Sequence, residues 1–138
     1  MRHFFLDTNV ALDFLAQRQP FAAPATDLFQ LADEEKVVLY VSSLSFSHVL
    51  YLLRKTAGPA NARSLLLDLV ETVTITAVGS ATINDALRAD FIDFEDAIQY
   101  FAARAVPAIE AIVTRDPKGF AAGTLPVLAP AEALRLLR

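Results

Sequence analysis

Residues 4–9 read Phe-Phe-Leu-Asp-Thr-Asn, and the reading of this stretch decides the fold. Phe4 to Asp7 has the length and apolarity of a short buried strand. Asp7, Thr8 and Asn9 are residues that open helices, and a helical pattern runs on from about Asn9 to Gln17. An ionisable carboxylate is thereby placed at the tip of a strand directed into the core, where burial opposes its charge.

The same alternation recurs along the chain. Val-Val-Leu-Tyr-Val (37–41) is β-branched and apolar on both faces. It predicts a second strand, followed by caps at Ser42 and Ser43 and a helix to about Lys55. Thr-Val-Thr-Ile-Thr-Ala (72–77), Ala-Ile-Val-Thr (111–114) and Leu-Pro-Val-Leu (125–128) predict strands three to five. Helices are expected at about Ala25–Asp33, 60–71 and 80–89, from a cap at Asp93 to about Val106, and from Pro130 to Leu137. Gly58-Pro59 and Pro117-Lys118-Gly119 break the pattern. Strands alternating with helices imply right-handed crossovers. The expected fold is therefore α/β, a three-layer α/β/α domain over residues 1–138 with a mostly parallel sheet of about five strands. In such sheets the functional crevice lies at the carboxyl ends of the strands, where the strand order reverses. Asp7 ends strand one and Asp116 follows strand four, so both carboxylates are expected on one edge.

Composition narrows the function. The hydrophobic fraction is 54% over 138 residues and the charged fraction 20%, which suits a packed core. The chain has no cysteine, so disulfides and thiolate metal sites are excluded, and a reducing cytoplasmic setting is expected. The 17 residues between Lys36 and Arg54 carry no formal charge. They fall short of a membrane span and include four serines and His48, so they read as a strand and a buried helix. A formal net charge of −4 argues against a protein that simply coats phosphate, but not against a nucleic-acid enzyme whose acids recruit cations.

The third component is the acidic run Asp90, Asp93, Glu95 and Asp96. Helical spacing makes Phe94, Ala97, Ile98, Phe101 and Ala105 a core stripe, with Asp93, Asp96 and Tyr100 together on its flank. Carboxylates one turn apart repel unless a proton or cation sits between them. Mg²⁺ or Mn²⁺ is the expected remedy, since both prefer carboxylate oxygen. Each acid also has a plainer reading. Asp93 and Asp7 suit helix caps, Asp116 suits a turn before Pro117, and Asp13 is expected at the surface. His48 shares a helix side with Ser47, Tyr51 and Lys55, opposite Phe46, Val49, Leu50 and Leu53. It is either a hydrogen-bonded surface residue or a group facing the crevice.

Taken together, Phe4–Leu15, Val41–Lys55, Asp93–Ala103 and Ala111–Phe120 resemble a PIN domain, in the order and spacing of that family. The likeness is to bacterial VapC-like toxins, in a branch reading Asp-Phe-Glu-Asp-Ala at the third motif. The resemblance implies Mg²⁺- or Mn²⁺-dependent cleavage of RNA phosphodiesters. It implies that Asp7, Asp96 and Asp116 are catalytic and hold the metal, that Asp93 joins through water, and that Thr8 and Asn9 support the first aspartate. It further implies an antitoxin partner and a homodimer. Arg18, Lys55, Arg115 and Lys118 are the candidates for contacting RNA phosphates. One departure stands out: His48 occupies the position where most members carry a glutamate. Two other readings stay open. One is a catalytically weakened or inactive binding module. The other is a phosphoryl-transfer or receiver-like domain, disfavoured because no lysine follows a late strand and no second acid stands two residues after Asp7.

Overall fold

The computed structural model describes residues 1–138. Strand β1 (Arg2–Leu6) leads into α1 (Thr8–Leu15) and α2 (Ala22–Asp33), then β2 (Val37–Ser42), α3 (Ser43–Ala57) and α4 (Pro59–Thr72). Next come β3 (Thr74–Thr76), α5 (Ser80–Arg88), α6 (Phe94–Arg104) and β4 (Ala111–Val113). A 3₁₀ turn at Pro117–Phe120, β5 (Val127–Leu128) and α7 (Pro130–Leu137) complete the chain. The five strands form one sheet in the order β3-β2-β1-β4-β5, and every pairing is parallel.

Side-chain alternation explains the three layers. Phe4 and Leu6 of β1, Leu39 and Val41 of β2, and Ala111 and Val113 of β4 face one way. They pack with Val10, Leu28, Phe29, Leu69 and Leu134 of α1, α2, α4 and α7. Phe5, Tyr40 and Ile112 face the other way, against Tyr100, Ala102 and Ala103 of α6. Phe4, Phe5 and Leu6 are wholly buried, because β1 is the central strand and both its faces are covered. No helix is long and apolar enough to cross a membrane.

The expected elements all form, with shifted bounds. β1 starts at Arg2 and stops at Leu6, so Asp7 is the N-cap of α1 rather than the last strand residue. Helix α2 begins at Ala22, three residues earlier than expected. Pro24 falls in its first turn, where a proline lacks no needed N–H. Strands β3 and β5 shrink to three and two residues at the two sheet edges. Three side-chain expectations are corrected. Phe94 is 44% exposed and Ala105 is exposed, so neither joins the core stripe; they stand at the two ends of α6. Asp13, expected at the surface, is 1% exposed, for the reason given below.

Candidate functional site

The strand order reverses at β1, whose neighbours are β2 and β4. A cleft of about 510 Å³ opens at the carboxyl ends of these strands. Its walls include Asp7, Thr8 and Asn9 from the start of α1, His48 and Tyr51 from α3, Glu95, Asp96 and Gln99 from α6, and Asp116 after β4. The topology thus brings together the acids that the sequence placed apart by more than a hundred positions.

Asp7 is the fixed point. It is 8% exposed and its carboxylate accepts three hydrogen bonds. These come from the Thr8 backbone N–H at 2.8 Å, the Thr114 hydroxyl at 2.8 Å and the Asn9 amide at 3.4 Å. Burial pushes its pKa up; the Thr114 and Thr8 donors pull it back, and the Asp116 charge adds to the rise. Thr114 itself is wholly buried. Its hydroxyl oxygen also accepts from the Asp116 backbone N–H at 3.0 Å. One threonine therefore ties the ends of β1 and β4 together and sets the position of Asp116, whose own side chain is exposed.

Asp96 lies one turn into α6, half-buried. Its pKa is pushed up to about 6, first by burial and then by the charges of Asp7, Asp93, Asp116 and Glu95. Four like charges around one carboxyl group is the arrangement a cation relieves. Asp93 is exposed; it caps α6 by accepting from the Asp96 backbone N–H at 3.0 Å and stays outside the cleft wall. Its plainer sequence reading is therefore realised, although its charge still acts on Asp96. Gly119, in the 3₁₀ turn, faces Asp96 so closely that a side chain there would collide with Oδ2.

Thr8 supports Asp7 through its backbone N–H and has a second task through its side chain. Its hydroxyl meets Ser45 Oγ at 2.6 Å, and the Gln99 amide nitrogen donates to both oxygens at 2.9 Å. Ser45 is held in turn by Ser42 Oγ, which accepts from the Ser45 backbone N–H at 3.3 Å. This buried polar network locks α1, α3 and α6 to each other behind the acids. Two cleft-lining side chains retain unpartnered acceptors, Asn9 Oδ1 and Gln99 Oε1. Buried acceptors normally find donors, and these two have none within the chain.

The carboxylate oxygens of Asp7, Asp96 and Asp116 on the cleft wall suit a hard divalent ion held partly through water. No three of the acidic and histidine side chains close directly round one point. Yet Asp7, Asp93, Glu95 and Asp116 are all near enough to raise Asp96. The electrostatic crowding is the more informative of the two, because Mg²⁺ typically takes only one or two protein carboxylates and keeps several waters.

The cationic candidates separate. Asp13 is buried because two arginines enclose it. Arg115 Nε donates to Oδ2 at 2.6 Å and Arg18 Nε to Oδ1 at 2.9 Å. Arg115 also lies 3.8 Å over the Phe21 ring, while Arg18 remains on the cleft wall. Lys118 is exposed in the 3₁₀ turn and Lys55 in the last turns of α3. His48 does face the cleft, with Nε2 at 3.7 Å from Glu95 Oε1. Sequence reasoning missed Gln99, Ser45, Thr114 and Gly119, which are small or neutral and carry no charge pattern to mark them.

The PIN domain family profile matches residues 3–118. No curated protein matches the chain. Solved structures with this fold include VapBC from Salmonella typhimurium bound to DNA, with a TM-score of 0.73 at 14% identity, covering 94% of this chain and 99% of that one. Mycobacterium tuberculosis VapC20, described as a sarcin-ricin loop cleaving toxin, aligns with a TM-score of 0.67 at 19% identity over 88% of this chain and 96% of its own. A toxin-antitoxin complex from Klebsiella pneumoniae aligns at 0.64 and 22% identity, over 91% and 96% of the two chains. With its central strand, its switch-point acids and a profile match spanning most of its length, the chain belongs to the PIN domain family.

Proposed function

We propose that this chain is a metal-dependent endoribonuclease that hydrolyses RNA phosphodiester bonds, and that it is the toxin of a toxin–antitoxin pair. The observation that carries the reading is the convergence of Asp7, Asp96 and Asp116 on one cleft, with burial and mutual repulsion raising Asp7 and Asp96. The fold shared with VapC20 and with VapBC complexes supports it. The sequence Asp-Phe-Glu-Asp-Ala at Asp93–Ala97 supports placing the chain in the branch of such toxins that carries this motif; a cytoplasmic setting and a homodimer belong to the same proposal.

Asp7, Asp96 and Asp116 would hold Mg²⁺ or Mn²⁺, which would lower the pKa of a bound water and offset charge on the phosphate. The protein's part is positional. Asp7 cannot swing, because its three donors fix both carboxylate oxygens. Asp96 and Asp116 approach from α6 and the β4 end, leaving the middle of the cleft for a phosphodiester. No side chain forms a covalent bond to the substrate, and Arg18 is the one cation on the cleft wall.

A second reading, a binding module with weakened or no catalysis, is favoured by His48. It replaces the usual glutamate, and its partner is Glu95 rather than a third metal-facing acid. Cleavage of a mixed RNA pool with Mg²⁺, with Mn²⁺ and with chelator decides between them. Metal-dependent cutting that disappears in Asp7→Asn supports the nuclease. Absence of cutting with either metal, in both proteins, supports the binding module.

A further inference from the structure

We infer that a strip of α3 formed by Tyr51, Arg54 and Lys55 carries an unpaired RNA strand away from the acidic cleft. One base would stack on Tyr51 and the following phosphates would lie beside Arg54 and Lys55. The inference rests on the nuclease reading and adds the surface along which the strand leaves the cleft.

Tyr51 is 62% exposed and forms part of the cleft wall. It also walls a second hollow of about 310 Å³, whose other residues are Arg54, Lys55 and Pro59. A third hollow, lined by Arg18, Leu52 and Lys55 among others, joins the cleft to the same lysine from the other side. The three depressions share walls, so the surface is continuous from the acids to the cations. His48 and Lys55 are seven positions apart on one helix, about 10 Å along its axis.

The charge pattern gives the strip its direction. The chain as a whole is acidic, with a formal net charge of −4, yet Ser43–Ala57 contains no Asp or Glu. Arg18 and Arg115 are engaged by Asp13. Arg54 and Lys55 take part in none of the ion pairs, which are Arg2–Glu110, Arg18–Asp13, Lys36–Glu34, His48–Glu95, Arg115–Asp13 and Arg138–Asp27. Their place in the last turns of α3 suits the helix dipole. The dipole does not account for an exposed aromatic ring between them and the cleft. Lys55 Nζ stands 4.3 Å from the centre of the Tyr51 ring, which couples the stacking surface to the phosphate-binding charge. A ring exposed beside the acidic cleft can stack on an unpaired base, and aromatic platforms flanked by cations are how proteins hold single strands.

The chain contains no tryptophan, so Tyr51→Trp would be its sole indole. Binding of a labelled single-stranded RNA is followed by fluorescence anisotropy, with Ca²⁺ and with chelator to limit cutting, on the full chain. Expected results are about tenfold weaker binding for Tyr51→Ala, near wild-type binding for Tyr51→Trp, and quenching of its emission by RNA. Arg54→Gln/Lys55→Gln should flatten the slope of log affinity on log salt by about 1.4, or about 0.7 per lost phosphate contact. Circular dichroism checks that each variant is folded. Equal binding by all variants overturns the inference while leaving the nuclease reading intact. No binding by the wild type overturns the inference, and the cleavage assay with Mg²⁺ and Mn²⁺ then decides the nuclease reading. Unchanged RNA binding in Tyr51→Ala, with loss of an oligomer by light scattering, makes the strip a protein contact and overturns the inference.

Discussion

Gly119 is the residue that leaves Asp96 its room. A Cβ on Gly119 would overlap Oδ2 and stand 3.0 Å from Cγ of that aspartate. The 3₁₀ turn after β4 and the first turn of α6 thus meet through a glycine whose backbone is unstrained, so the glycine is needed for space alone. Gly119→Ala should push the Asp96 carboxylate off its position with the fold retained. Displacements of about 1 Å in such sites cost about 10²-fold in rate. Cleavage should fall by about that factor and Mn²⁺ affinity should weaken, both measured against an unchanged melting profile. Wild-type metal affinity in Gly119→Ala would show that Asp96 is free to settle elsewhere.

The crowding around Asp96 sets a pH dependence with a definite sign. Its carboxyl group titrates at about 6 in the folded chain against an ordinary value of 3.8. Between these values the folded chain keeps a proton that the unfolded chain has released. Metal-free protein therefore loses stability from this group as pH rises through the window, and the loss is complete above about 6. Asp96→Asn removes the penalty. Its melting temperature should exceed that of the wild type at about pH 8, and the gain should shrink toward about pH 4. Asp7, also raised, adds a contribution of the same sign in the wild type. A gain of equal size at every pH would contradict the crowding.

Asp13 holds two arginines at once, and its removal releases both. The arginines keep 40% and 27% side-chain exposure, so water can solvate them afterwards. Asp13→Asn should cost about 2 kcal/mol, the range for hydrogen bonds to charged groups. Replacing both arginines strands a buried carboxylate instead and should cost more, about 3–5 kcal/mol. Urea denaturation of Asp13→Asn and of Arg18→Gln/Arg115→Gln ranks the two. The reverse order would mean that the arginines, not the acid, bear the desolvation.

Thr114→Val keeps the shape of a wholly buried side chain and deletes both of its hydrogen bonds. Asp7 loses one donor and the Asp116 N–H loses its acceptor. The expected outcome is a loss of about 1–3 kcal/mol in stability and a further rise of the Asp7 pKa, which would show as a shift of the acidic limb of the cleavage–pH profile to higher pH. An unmoved limb would place the control of Asp7 in the Thr8 backbone N–H alone.

The sequence disclosed the elements that announce themselves by pattern. Phe4–Leu6, Val37–Val41 and Ala111–Val113 read as strands because a central parallel strand is apolar on both faces. Asp7, Asp96 and Asp116 stood out because carboxylates at strand tips and helix starts need a reason. Asp13 was misjudged since its partners, Arg18 and Arg115, come from different elements and only the tertiary fold joins them. Gln99, Ser45 and Thr114 act through neutral hydrogen bonds, and Gly119 acts through the absence of a side chain. None of these has a period or a charge that a linear reading can register. His48 was legible as a departure, but its pairing with Glu95 depends on how α3 and α6 face each other across the cleft.

The strand order also has a consequence in time. β1 precedes every other element along the chain yet ends in the middle of the sheet, and Asp7 meets Thr114 across 107 positions. Such distant parallel pairing is slow to form. While the polypeptide is still being synthesised, β2 can dock on β1, but the Asp116 side of the cleft does not yet exist. Under the nuclease reading, this order of assembly would leave the cleft without Asp116 until translation has passed β4.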